Sequence, residues 1–334
     1  GPAMTRLVWV ELQRLAARRL VLGALLATLV AIGLVLWGTA ATVRPLTTSQ
    51  LDDAERAYAL ALADWEENGE EQVAQCREDQ EREREASDDP TLDFGCDQMG
   101  APERAWYVPV APALEDTLPG VLAPVTFLIG FLALLVGATS TAAELSSGAI
   151  TTWLTFEPRR LRVYASKLLA VGAGLVPAAV LTLALLVAGV WAVHAQQDLA
   201  GTMSGADWQD TLGTTLRMLV VIVLGGVAGA AMGIWMRHTA AVLGVVVGYA
   251  ILVENLLGAL VPRLQPALVL LNVSAWVQDG AAYYVSQCTT SSQGTSCEYV
   301  EQTLSLAQGA AYLGGLCILV VLGAGLVFRR RDVG

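Results

Sequence analysis

Long apolar runs alternate with polar breaks along the chain, and the pattern predicts six membrane-spanning helices. The runs are 20–43, 118–143, 161–194, 215–236, 240–260 and 306–328. Each holds about 20 residues or more, enough at ~1.5 Å per residue to cross a ~30 Å hydrocarbon core. Residues 4–19 precede the first run as a basic amphipathic stretch. Val8, Leu12 and Leu15 share one helical face and Arg6, Gln13 and Arg14 lie away from it, so a helix along the cytoplasmic membrane surface is expected. Gly1-Pro2-Ala3 before Met4 reads as a protease-cleavage scar.

The polar breaks predict further elements. In 44–117, Ser49-Gln50-Leu51-Asp52 reads as a capping box. Leu51, Tyr58, Leu62 and Trp65 then recur at helical spacing, and Asn68-Gly69 supplies a stop. A second, highly charged helix should run from about Glu70 to Ala86. Residues 195–214 read as a short outer loop. In 261–305, Leu264 to Asn272 is apolar but too short to cross, so a re-entrant or interfacial segment is expected, broken at Pro262 and Pro266. Gly225, Gly229 and Gly233 form a small-residue stripe that lets another helix approach.

Composition and charge fix the class and the orientation. A hydrophobic fraction of 54% with 15% charged residues and a mean hydropathy of +0.53 describes a membrane protein. The net charge of -11 is segregated: residues 44–117 hold 20 of the 31 acids and six of the 20 basic residues. Twelve basic residues cluster at the N-terminus, in 142–167, at Arg237 and at Arg329-Arg330-Arg331. Such clusters at membrane boundaries set topology and do not suggest nucleic acid. The fold expected is all-α, with six spans, both termini cytoplasmic, residues 144–160 as a cytoplasmic loop, and 44–117 as an acidic extracellular helical domain. Cys76, Cys96, Cys288 and Cys297 then all lie outside. They allow three pairings, of which the two sequence-local bridges are expected. Cys317 lies inside the sixth span.

Several chemistries lack their residues. There is no G-x-x-x-x-G-K-[ST], so ATP binding through a P-loop is not expected of this chain. The two histidines, His194 and His238, fall on opposite sides in this topology, and the external cysteines lack zinc-ligand spacing. No enzyme and no metal site is therefore expected. Ionisable residues in spans are costly. Glu254 in span five either pairs with Arg217 of span four, reaches the outer interface or, with Asn255, lines a substrate path. The external acidic region allows another reading: a membrane sensor or immunity protein that captures an extracellular peptide.

One polar stretch, Ala142 to Lys167, carries a motif. Glu144 ends a span, Ser147-Gly148-Ala149-Ile150 follows, and Pro158-Arg159-Arg160 leads to Lys167 at the start of the next span. This resembles the first intracellular loop of ABC-2-type exporter permeases. The resemblance implies a multi-pass protein of the bacterial cytoplasmic membrane that moves a hydrophobic or amphipathic small molecule, lipid or peptide outward. It implies two copies of an ABC ATPase as partners, which bind ATP and Mg, and a second copy of this chain or a homologous permease. It assigns Glu144, Ser147, Gly148, Thr152, Pro158, Arg159 and Arg160 to ATPase coupling. It also points to Phe127 and Phe131 on span two and Tyr249 and Asn255 on span five as lining the path, with Glu254 beside them.

Overall fold

A computed structural model of the chain describes residues 2–147, 159–201, 203–291 and 294–330. Its helices are α1 (Pro2–Ala16), α2 (Arg19–Val43), α3 (Thr48–Ser87), α4 (Arg104–Tyr107), α5 (Leu114–Ser146) and α6 (Arg160–Ala195). Next come α7 (Gly205–Met236), α8 (Thr239–Leu260), α9 (Val269–Val277) and α10 (Leu306–Arg330). Strands β1 (Ala281–Ser291) and β2 (Gly294–Leu304) pair as a two-stranded sheet. Among the described residues, six helices are long and apolar enough to span a membrane: α2, α5, α6, α7, α8 and α10. A helix satisfies its own backbone polar groups, which hydrocarbon requires.

The chain divides into two compact units, one of residues 1–40, 113–287 and 298–334, the other of residues 41–112 and 288–297. In the first, α5, α6 and α7 form the centre. Half of the apolar window of α5 is buried, against 11% for α2 and 6% for α8. Large apolar side chains such as Leu26, Leu34, Ile251 and Leu256 stay exposed on the peripheral helices, a surface suited to lipid and not to water.

Missing side chains make the central contact possible. A Cβ on Gly229 would run into the Leu134 carbonyl oxygen, and one on Gly233 into Thr141 Oγ1 and the Ala138 carbonyl oxygen. The Gly225 position sits 3.1 Å from the Gly130 carbonyl oxygen by the same measure. The glycine stripe is therefore the packing face of α7 against α5. Thr141 Oγ1 adds a hydrogen bond to the Ala230 carbonyl oxygen at 2.8 Å. Fully buried His194 ties α6 to α5, with Nε2 3.1 Å from Thr117 Oγ1. Tyr164 on α6 donates to the Val321 carbonyl of α10 at 2.6 Å.

The second unit is built on α3, which is one helix of 40 residues and not two. The expected stop at Asn68-Gly69 does not occur. Asn68 Nδ2 donates to Asp64 Oδ1 at 2.7 Å one turn back, and buried Gly69 lies under the Trp65 indole, where a Cβ would come within 2.9 Å of the ring. The capping box is Thr47 with Gln50, two residues before the expected one. The Cys76–Cys96 disulfide and an Arg77–Asp97 ion pair fasten the following loop to α3. At the end of the helix the Thr91 hydroxyl and amide hold the Asp89 carboxyl below its ordinary range.

Two other expectations change, and a third segment is given its form. α7 begins at Gly205 and not at 215, because Ser204 and Asp207 form a capping box that lengthens it into the expected loop 195–214. The apolar segment near Leu264 becomes a 3₁₀ turn, Pro262–Ala267, followed by α9. The chain is not purely α: β1 and β2 pair, and Cys288 and Cys297 are bridged across them.

Candidate functional site

The most heavily charged buried place in the described residues lies where α5 ends and α6 begins. On α1, Val8, Glu11, Leu12 and Leu15 follow the spacing of one helical face, so Glu11 sits within the apolar stripe. That face packs on α6: a Cβ at Gly174 would meet Leu15 Cδ2 at 2.8 Å and Leu12 Cδ2 at 3.2 Å. Leu12 and Leu15 of the stripe thus seat on α6.

Four charges converge there. Lys167, with its side chain 3% exposed, donates from Nζ to Glu11 Oε1 at 2.9 Å and to Glu144 Oε2. Arg18, between α1 and α2, donates to Glu144 Oε1 at 2.6 Å and to the Thr139 carbonyl oxygen at 3.2 Å. Each of the two carboxylates thus meets a cation, as burial of an ion requires, and Arg14 lines the same cavity. A cavity of about 20 Å³ remains among Glu11, Arg18, Ser140 and Lys167, room for about one water.

Glu144 is therefore turned inward, joining α5 to α6 and to the α1–α2 junction. Ser147 caps the end of α5, its amide on the Ala143 carbonyl at 3.1 Å. Arg159 is exposed at the start of α6, and Arg160 opens that helix. Gly148, Thr152 and Pro158 lie outside the described residues. Sequence reasoning missed Glu11 and Arg18; an acid inside the apolar stripe of α1 was the available signal.

Of the residues assigned to a substrate path, Tyr249 and Glu254 meet at the Val269 amide, which lies 3.3 Å from the Tyr249 hydroxyl and 2.7 Å from Glu254 Oε1. Phe127 packs against the central core, and Phe131 is half-buried on α5. Tyr249 alone of the five lines an apolar cavity of about 380 Å³ with Leu134, Gly225, Val273 and Tyr312. Glu254 does not pair with Arg217. It lies in a π-helical stretch, Ala250–Leu257, and its Oε1 accepts the first amides of α9, Val269 at 2.7 Å and Leu270 at 3.1 Å. The positive end of a helix thus supplies the partner that a cation was expected to supply. Arg217 instead lies 3.5 Å from Asp279. Asn255 Nδ2 donates to the Ala250 carbonyl at 2.7 Å, within its own helix. Among the described residues no three His, Cys, Asp or Glu side chains converge as a metal site.

The family model described as ABC-2 family transporter protein matches residues 7–333. No curated protein and no solved structure matches. Six apolar helices agree with a membrane transport component, and a match over nearly the full length settles the family: the chain belongs to the ABC-2 transporter membrane proteins.

Proposed function

We propose that this chain is the permease subunit of an ATP-driven exporter, worked through residues 144–160 by a separate ATPase. Two copies of the chain enclose the path, and each docks one ATPase subunit that binds ATP and Mg. Both termini and the 144–160 connection face the cytoplasm, and residues 44–112 face outside. The two disulfides favour that sidedness, since they form in oxidising compartments. The cargo is a hydrophobic or amphipathic small molecule, lipid or peptide that uses a largely apolar route.

The burial of Glu144 and Lys167 at the two ends of the connection carries this reading. Their pairing fastens α5 to α6 beside the connection, so a push on it moves both spans together. Arg159 is left exposed next to it for contact with a partner.

The test is purification of the tagged chain from its own host in mild detergent. An ABC ATPase should accompany it and hydrolyse MgATP. Arg159→Glu combined with Arg160→Glu should cut the recovered ATPase at least ~10-fold, equivalent to about 1.4 kcal/mol of binding. A chain that purifies with no ATPase is the outcome expected of the sensor reading, and it would overturn the exporter assignment.

A further inference from the structure

We infer that α1 is a rigid part of the joint, with Glu11 as the residue that positions it. The cluster of Glu11, Lys167, Glu144 and Arg18 makes α1, the Glu144 end of α5 and the Lys167 end of α6 one moving body. For what the movement drives, this rests on the functional reading above; for its geometry it does not.

Three elements meet on one ammonium group. Glu11 comes from α1, Glu144 from α5, and Lys167 from the second turn of α6. Lifting α1 would take one of its two carboxylates from Lys167, whose side chain is 3% exposed, and leave Glu144 alone to offset that charge at the two helix ends. An uncompensated buried charge is strongly unfavourable, so the cluster resists opening during small movements. The apolar contact beside it has the same effect: Leu12 and Leu15 sit over Gly174, where α6 presents no side chain. The break between α1 and α2 is pinned as well, because Arg18 bonds both Glu144 and the Thr139 carbonyl. A displacement entering at residue 147 or 159 therefore reaches α1 together with the two spans. A helix that merely covered the surface would need the leucines but not the acid.

The test uses the full chain with Cys317→Ala, reconstituted in lipid nanodiscs. Nitroxides are placed at Gln13→Cys on the open face of α1 and at Leu161→Cys on exposed α6. With labelled chain diluted into unlabelled chain so that a complex holds one labelled copy, electron–electron resonance should give one narrow distance distribution, and Glu11→Gln should widen it at least twofold. Glu11→Gln with Lys167→Met should recover thermal stability yet leave the distribution wide, whereas a purely structural role predicts recovery of both. An unchanged width in Glu11→Gln removes Glu11 from the joint.

A second arm uses Leu15→Cys with Gly174→Cys, oxidised to a bridge, in the complex with the co-purified ATPase. MgATP hydrolysis should stay within twofold of the reduced sample. A tenfold loss on oxidation would show that α1 must leave α6, and the rigid-body inference would fall. If no ATPase accompanies the chain, the exporter reading fails, while the distance measurement still decides the role of Glu11.

Discussion

Two ion pairs in this chain have ordinary contact distances and opposite surroundings. Lys167 reaches Glu11 at 2.9 Å with side-chain exposures of 3% and 9%; Arg77 reaches Asp97 at 2.7 Å with exposures of 61% and 86%. The first joins helices 156 residues apart in the chain, at the most buried charged spot described. The second joins a helix to its own loop, one residue along from a disulfide that already connects them. Distance therefore says little about what each pair does. In the first unit, which is built from membrane-length helices, charge can enter the interior only if it is neutralised there, so the pair dictates which helices meet. In the second unit water screens the pair, and a covalent bond provides the tie.

The largest expected effect comes from breaking the buried pair on one side. Lys167→Met takes from Glu11 and Glu144 the ammonium group that they share. The loss should be about 3–5 kcal/mol, seen as a lower midpoint of thermal unfolding in detergent with unchanged behaviour of the second unit. Adding Glu11→Gln should recover most of it, since a neutral buried group costs less than an unpaired ion. If Lys167→Met melts like the parent chain, the cluster is not holding the helices and the contrast between the two pairs disappears.

In the second unit the corresponding change is Cys76→Ser. The bridge spans a sequence separation of 20. Closing a loop of that size is worth about 3 kcal/mol in the chain-entropy model, so the unit should unfold at lower temperature while the membrane-length helices are unaffected. Helical circular dichroism during thermal unfolding, with and without reductant, reads this directly. Reductant should lower the midpoint more in the parent chain than in the variant, which keeps the Cys288–Cys297 bridge.

The contrast also explains what a single sequence could disclose. The six spans are visible because each is a long, predominantly apolar run, and the disulfides because each pair is close along the chain. The cluster is different. Glu144 and Lys167 stand out as charges beside apolar runs, yet nothing local links Glu11 to a lysine 156 residues away. Its position within the stripe of Val8, Leu12 and Leu15 is compatible with a burial that only the folded chain displays. The same limit produced the wrong partner for Glu254. Arg217 is a plausible cation by depth, but the start of α9 brings two backbone amides closer, and that start is hidden inside an apolar segment. Asn68-Gly69 misled for a related reason. Its low helix propensity is local, whereas the Trp65 ring that covers Gly69 uses the absent side chain.

The smallest expected effect sharpens the comparison most. Arg77→Ala removes the exposed pair while the disulfide stays. Both side chains are largely in water, so the change should cost no more than about 1 kcal/mol and shrink further as salt screens the pair. The outcome should depend on the disulfide. With Cys76–Cys96 closed, the loop is already near α3 and the ion pair adds only its weak attraction. With Cys76→Ser, the same pair must also offset the entropy of bringing the loop back, so it should form less often and contribute less still. Denaturant unfolding of the four chains in this double-mutant cycle, at low and at high salt, measures the coupling. A coupling near zero would mean that the two ties act independently. A loss from Arg77→Ala as large as that from Lys167→Met would show that exposure does not separate these pairs after all.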